Sequence, residues 1–476
     1  MPAKKKATAR PAKRAAKKPV KKPDAKKAAK KPVKKPDAKK VVPPKAAPAK
    51  PSGGPTPQSL RGMKDILPSE QKFWGFVRDK MVEMAEAYSY ERIDTPILEA
   101  TSLFVRSVGK QTDVVEKEMF SFEDRGGDNV SLRPEGTASA ARAYINHGMV
   151  NLPQPVKLYY IGPMFRYERP QHGRTRQHHQ FGVEVFGDDH PIIDAEVILL
   201  SYLVYKELGV KVVVHINSLG SAESRPNYLA ELTAYYRSRR SQICEDCKRR
   251  LAKNPLRLLD CKDPGCSAVK EGAPHIVDYL DEASKNHLMR VLEYLDDLQV
   301  PYVLNPHLVR GFDYYSRTVF ELLPVEEQEG GQTALGGGGR YDSLVEDLGG
   351  RPTPACGFGI GVERAILFMK SQGVEPPEPR RPDIFLAQLG DTARRKAFAL
   401  FEEFRSHGIK AAANFSKGAL KNQLEIANRL GARYTLILGQ KEVLDGTVLI
   451  RDMESGMQEI VDLNKAVNVM KKNLGK

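Results

Sequence analysis

The sequence predicts an α+β protein with an inserted helical module, a terminal α/β domain and a basic tail that does not fold. Three stretches carry that expectation. Alternating apolar runs at 156–161 and 180–186 flank a loop dense in Arg, His and Gln, the pattern of an antiparallel β-hairpin whose tip suits anions rather than packing. Residues 221–300 are charged and helical in character but broken by Pro255, Pro264 and Pro274, which marks a separate module. From Asp383 onward strand-like and helix-like runs alternate, as in a compact α/β domain with a largely parallel sheet.

The 476 residues are enough for several domains. The net charge of +16 is concentrated at one end: residues 1–60 hold 20 Lys and Arg against Asp24 and Asp37, so the remainder is slightly acidic. This stretch has 12 prolines and no Trp, Tyr or Phe, so it can neither bury a core nor sustain a long helix. The unit AAKKPVKKPDAKK occurs at 15–27 and again at 28–40. Disorder is expected over 1–57. The tail is similar to the Lys-Ala-Pro tails of linker histones, and its even positive charge suits non-specific, salt-sensitive contact with nucleic-acid backbone. The alternative is a solubilising extension.

No apolar run reaches membrane-spanning length and no signal-peptide core is present, so the expected location is cytoplasmic. A mitochondrial presequence would favour an amphipathic Arg-rich helix, whereas this tail is Lys-rich and interrupted by proline. Five cysteines are too few and too clustered for a disulfide framework.

Taken in order, Ser69 is placed to cap a helix running through Glu86, with Phe73, Phe76, Val77, Met81, Met84 and Ala85 forming one apolar face. The extended run at 92–99 is interrupted by Thr95-Pro96, which suits a sheet edge or a bend. Residues 108–130 read as a polar connection with a hairpin turn at Gly126-Gly127. A strand at 130–133 leads into PEGT and a helix at 138–146. There Glu135 can fix a small cationic group, or it is a solvent-exposed neighbour of a helix capped by Thr137. After the hairpin come a helix at 194–209 and a strand at 211–220.

Within the module, Cys244 and Cys247 form a CxxC and Cys261 and Cys266 a looser pair. Together they could converge on a structural zinc ion or remain free thiols. Residues 308–323 resume the extended, aromatic character of a sheet interior. GGGGRY at 336–341 reads as a flexible turn and not as a P-loop, because the Lys-Ser/Thr that would follow is missing. Gly357, Gly359 and Gly361 fall on a strand and permit close backbone approach before the chain enters a helix at Glu363-Arg364.

The strings SLRPEGT, IGPMFRYERPQHGRTRQHHQFGVEVFG, LVRGFDYYSRTVFE, GGGGRYDSLVEDLGG and GFGIGVER occur in the order found in histidyl-tRNA synthetases, and the resemblance covers residues 60–476. It implies a class II synthetase catalytic domain, an antiparallel sheet flanked by helices, over 58–376. It also implies a helical insertion near 221–300 that touches the tRNA acceptor region, and an anticodon-binding domain over 382–476. The implied ligands are L-histidine, ATP with Mg2+, and the histidine tRNA. The Thr95-Pro96 element and the preceding helix resemble the motif that builds a homodimer.

By the same resemblance Glu135, Thr137 and Gln180 hold the histidine α-amino group, while Glu184 and Tyr315 contact the imidazole nitrogens. Arg166 and Arg310 meet the α-phosphate, where fixed guanidinium groups stabilise charge that grows as pyrophosphate leaves. Glu168 and Arg364 bind ATP. His178 stands where relatives usually carry a Phe stacked on adenine; its ring becomes charged near its ordinary pKa of about 6.5, so weaker or pH-dependent ATP binding is expected. A catalytically inactive relative, such as the regulatory subunit paired with ATP phosphoribosyltransferase, generally lacks the terminal domain and loses site residues. A nucleic-acid-binding protein dominated by its tail is the other alternative.

Overall fold

The computed structural model describes residues 56–110, 112–168, 175–325, 334–378, 380–416 and 418–475. Residues from Ser59 onward form one compact unit, and the tail expected over 1–57 lies almost wholly outside the described residues. Among the described residues no helix is long and apolar enough to cross a membrane.

Helix α1 (Gln71–Ala87) buries Phe73, Trp74, Val77, Met81 and Ala85 on one face, as their three- and four-residue spacing requires. Its start corrects the expectation. Ser69 lies inside a 3-10 turn, Pro68–Glu70, and provides no cap; Glu70 instead accepts the Leu67 N–H at 3.2 Å. The rigid φ of Pro68 begins that turn one residue early.

Strand β1 (Glu91–Arg92) and strand β2 (Leu98–Ala100) belong to different sheets, and Thr95-Pro96 occupies the passage between them. After α2 (Thr101–Ser107), the stretch read as a polar connection contains a π-helical turn, Val114–Glu118. Val114 is buried there against Leu103, Phe104 and Val108. Strands β3 (Phe120–Glu123) and β4 (Asn129–Leu132) complete a small sheet of order β2-β4-β3, with Gly127 in the turn at φ +90°.

Next come α3 (Thr137–Asn146), β5 (Val156–Phe165) and β6 (Gln177–Phe186), then α4 (Pro191–Glu207) and β7 (Val212–Ser218). The β5–β6 hairpin pairs from Val156↔Phe186 to Phe165↔Gln177, longer than the alternating runs alone suggest. The module supplies α5 (Arg225–Ser238), α6 (Glu245–Lys253) and α7 (Ser267–Glu271). Helix α8 (Glu282–Asp297) falls within the stretch expected to be separate, but Leu288, Val291 and Leu295 pack into the main core. By packing, the module therefore ends near residue 280.

Strands β8 (Tyr302–Leu304), β9 (Ser316–Pro324) and β10 (Gly336–Arg340) follow, then α9 (Leu344–Asp347), β11 (Ala355–Gly361) and α10 (Val362–Ser371). The main sheet has the order β1-β5-β6-β11-β10-β9-β7-β8, antiparallel except for the outer pairs β1–β5 and β7–β8. Two readings change here. Residues 308–315 form a loop before β9 rather than strand, and the GGGGR segment is a central strand rather than a flexible turn. The reason is steric: a Cβ on Gly338 would strike the Gly357 carbonyl, and one on Gly337 would lie 2.8 Å from Arg310 Nη1.

The terminal domain contains β12 (Ile384–Gln388), α11 (Asp391–Ser406), β13 (Ala411–Ala413), α12 (Leu420–Leu430) and β14 (Tyr434–Leu438). It continues through α13 (Gln440–Asp445), β15 (Thr447–Asp452), β16 (Gln458–Asp462) and α14 (Ala466–Leu474). Its sheet, β13-β12-β14-β15-β16, is mixed rather than largely parallel, because β15 and β16 run antiparallel to their neighbours. The short α13 ends at Gly446 in the left-handed region at φ +67°, which turns the chain straight back; a parallel crossover needs a dozen or more residues.

Candidate active site

The register of the main sheet separates its two faces. Phe181, Val183, Val185, Phe320, Leu322, Cys356, Phe358 and Ile360 share one face and pack beneath α4, α10 and α1. On the other face the pairs Gly357↔Glu184, Gly359↔Gly182, Gly361↔Gln180, Gly337↔Gly359 and Gly339↔Gly357 fall side by side. That face is a nearly bare glycine floor from which Gln180 and Glu184 project. A Cβ on Gly359 would meet the Gln180 amide, one on Gly357 would meet Glu184 and Tyr341, and one on Gly182 would meet the Tyr160 ring.

Glu184 is fully buried and accepts from three hydroxyls. Thr137 Oγ1 donates to its Oε1 at 2.8 Å, Tyr160 OH donates to the same oxygen at 2.9 Å, and Tyr341 OH donates to Oε2. Burial pushes the Glu184 carboxyl up to about 8, with Glu135 adding to the rise and the three hydroxyls opposing it. Gln180 Nε2 reaches the Tyr160 hydroxyl at 3.5 Å.

Glu135 is buried, which overturns the solvent-exposed reading, and it rather than Thr137 caps α3. Its Oε2 accepts the Thr137 N–H at 2.7 Å and its Oε1 the Ala138 N–H at 2.9 Å. Burial raises its pKa against those two donors and the nearby Arg166 charge. The Thr137 side chain is thereby free to face Glu184.

Arg166 extends from the end of β5, fixed by Nε to the Pro134 carbonyl at 2.8 Å, with its guanidinium 5.3 Å from the Phe312 ring centre. Arg310 lies on the 308–315 loop, over the floor at Gly337, and pairs with Glu321 on β9 at 2.7 Å. Its charge also sits 5.3 Å from the Tyr315 ring centre. The rings of Phe312, Tyr314, Tyr315 and Tyr341 form a continuous chain between the two arginines and Glu184. Glu168 lies just past β5, at the border of the undescribed residues 169–174.

His178 is part-buried on β6. Burial, with Arg166 and Arg364 beside it, pushes its pKa down to about 3, so its ring is neutral throughout the physiological range. This removes the expected pH dependence, though the smaller stacking area remains. Arg364, at the start of α10, donates to the Ala334 carbonyl.

Sequence reasoning missed Tyr160, Tyr341, Arg133, Glu321 and the Arg340–Asp194 pair. Buried Arg133 ties the Thr95 carbonyl, at 2.8 Å, to the Pro163 carbonyl, at 3.0 Å, and so fixes the strand end before Glu135. Fully buried Arg340 pairs through Nε with Asp194 Oδ2 at 3.0 Å, anchoring β10 next to Tyr341. The alternating glycines opposite Gly182 and Glu184 were the available signal, but only pairing reveals what they face.

Away from this floor, the sulfurs of Cys244, Cys247, Cys261 and Cys266 lie within 4.8 Å of one another, a donor set able to chelate a metal ion.

The sequence model described as Histidyl-tRNA synthetase matches residues 62–365, and the Anticodon binding domain model matches residues 383–473. The chain belongs to the histidyl-tRNA synthetase family. Among relatives in that family, the histidine–tRNA ligase of Dehalococcoides mccartyi strain 195 is 48% identical over 418 residues, covering 88% of this chain and all of the relative. That of Desulforamulus reducens is 45% identical over 412 residues, 86% of this chain and 98% of the relative. The apo Staphylococcus aureus histidyl-tRNA synthetase superposes with a TM-score of 0.74 at 37% identity, over 87% of this chain and all of that one. The mixed α+β architecture and terminal domain are thus those of histidyl-tRNA synthetases.

Proposed function

We propose that the chain ligates L-histidine to its tRNA on the glycine floor, through a histidyl-adenylate, with the following residues in specific roles. The observation that carries the reading is the buried Glu184 carboxyl, held by three hydroxyls over a run of glycines whose missing Cβ atoms make room for the Gln180, Glu184, Tyr160 and Tyr341 side chains. Glu184 and Tyr315 read the two imidazole nitrogens, so an apolar amino acid of similar size would leave buried polar groups unpaired. Glu135, Thr137 and Gln180 receive the α-amino group.

ATP enters as its Mg2+ complex, with Glu168, His178 and Arg364 on the nucleotide side. The histidine carboxylate attacks the α-phosphorus, the bond to pyrophosphate breaks, and Arg166 and Arg310 hold the nonbridging oxygens as their charge grows. The part-buried Glu321 carboxylate, 2.7 Å from Arg310, keeps that guanidinium oriented. In the second step a ribose hydroxyl at the tRNA terminus attacks the acyl carbon and AMP leaves. No side chain here is assigned as its general base.

We assign residues 58–376 to catalysis and 382–476 to the anticodon. The module contacts the tRNA acceptor end. A homodimer built through the Thr95-Pro96 element, a cytoplasmic location, tail contact with nucleic acid, and zinc at the four thiols complete the reading. Nothing in the site favours an inactive relative, since Arg166 and Arg310 both face the floor region. Histidine-dependent exchange of labelled pyrophosphate into ATP tests the assignment. Exchange should be lost in Arg310→Ala with histidine binding retained; folded native protein without exchange would refute it.

A further inference from the structure

The four cysteines come from three separate places. Cys244 and Cys247 lie just before and in the first turn of α6, Cys261 follows the 3-10 turn Pro255–Leu258, and Cys266 ends the 3-10 turn Pro264–Cys266. Buried thiols often serve as ordinary apolar side chains, but those scatter through a core, whereas these four converge. The Cys244 and Cys261 sulfurs are 3.9 Å apart. Tetrahedral Zn–S bonds of about 2.3 Å place sulfurs roughly 3.8 Å apart, while a disulfide would need about 2.05 Å. Two backbone N–H groups already point at sulfur: that of Cys244 at Cys266 Sγ, 3.2 Å, and that of Cys247 at Cys244 Sγ, 3.5 Å. Such donors orient and stabilise thiolates around a metal.

The same helix reaches the catalytic part. At its far end Lys253 pairs with Glu116 at 2.8 Å and Arg250 approaches Asp113 at 3.5 Å, and Arg257, in the 3-10 turn that follows, approaches Asp113 at 3.8 Å. Asn254 donates to Asp313 at 2.9 Å, on the loop that also carries Arg310 and Tyr315. Between these groups lies a cavity of about 240 Å³ lined by residues of both parts, among them Lys253, Asn254, Arg310 and Tyr315. Part-exposed ion pairs contribute little one by one, so the hold on Asp313 depends on α6 being fixed at its other end.

We propose that Cys244, Cys247, Cys261 and Cys266 bind one zinc ion as a tetrathiolate, and that this ion fixes α6 so that Asn254, through Asp313, latches the module onto the loop carrying Arg310 and Tyr315, while Lys253 holds the 114–118 turn through Glu116. The latch rests on the zinc reading above. Binding releases the thiol protons to solvent, and the ion stays outside the reaction. Loss of zinc loosens the 308–315 loop without touching the glycine floor.

The test uses the full chain purified without chelator. Elemental analysis should give one zinc per chain, and cobalt(II) exchange should give the thiolate charge-transfer band and intense d–d bands of a tetrahedral site. Withdrawing the metal with a chelator under reducing conditions should speed amide hydrogen exchange in 244–271 and 308–315 about tenfold, leave β5 and β6 protected, and be reversed by added zinc. The double variant Cys261→Ser, Cys266→Ser should lack the metal; should it fail to fold, the withdrawal experiment on the native chain stands alone. Absence of zinc together with no cobalt spectrum overturns both site and latch. Bound zinc with unchanged exchange in 308–315 overturns the latch alone, as does loss of protection spreading to β5 and β6.

Discussion

Replacing Glu184 with Gln separates the shape of the proposed histidine pocket from its charge. The amide fits the hydroxyl cluster: its oxygen can take the Oε1 position facing Thr137 and Tyr160, and its NH2 can donate to the Tyr341 oxygen. What is lost is ionisation. With the carboxyl pushed up to about 8, roughly one-tenth is ionised at pH 7 and about three-quarters at pH 8.5. If the carboxylate is the form that accepts the imidazole N–H, apparent affinity follows that fraction and improves about eightfold over this interval. Histidine titrates too, but identically against both proteins. The histidine KM of the native chain divided by that of Glu184→Gln, measured by pyrophosphate exchange at saturating ATP, should therefore fall about eightfold from pH 7 to 8.5. Stability supplies an independent reading. Because the folded carboxyl titrates well above its ordinary 4.5, the native state holds the extra proton between those values, and native stability declines as pH rises toward 8. The variant should lack that decline, so its Tm advantage should grow from pH 5 to pH 8. A flat KM ratio together with parallel Tm profiles would show that Glu184 does not titrate as its burial requires.

Gly359→Ala places a methyl against the Gln180 amide, whose Cδ would be 2.8 Å away; a destabilisation of about 1–3 kcal/mol and a histidine KM raised about tenfold are expected from denaturation and exchange kinetics. His178→Phe should lower the ATP KM by about threefold and by the same factor at every pH from 6 to 8, because the His178 ring stays neutral there; a factor that varies with pH would contradict its burial. Asp194→Asn leaves the buried Arg340 charge with only the part-exposed Asp342 carboxylate as a partner and should cost about 3 kcal/mol in a denaturant titration. Burial opposes ionisation of Asp194, but Arg340 and His287 hold it at about 2, so its contribution to native stability is present above its ordinary 3.8 and fades as pH falls toward 2. Deleting residues 1–57 should weaken tRNA binding and flatten its salt dependence while leaving pyrophosphate exchange unchanged; an unaltered salt slope would make the tail a bystander.

The order of the motifs, the hairpin, the helices at 71–87 and 420–430 and the alternation of the terminal domain were legible in the chain because period and punctuation are local properties. Gln180 and Glu184 could be placed on one face from their spacing alone. Register is not local. GGGGR resembled a flexible turn until its pairing with β9 and β11 put carbonyls and the Arg310 side chain where any Cβ would stand. The hydroxyls of Tyr160 and Tyr341 and the salt bridge between Arg340 and Asp194 join residues far apart in sequence, and no spacing rule connects them. Charge state was likewise decided in three dimensions: an Arg, His and Gln loop suggested a titrating His178, while burial between two guanidinium groups keeps it neutral. The sequence determined which residues could do the chemistry; the sheet register and burial decided which of them meet, and in what protonation state, because both depend on what the neighbouring strand brings to the same place.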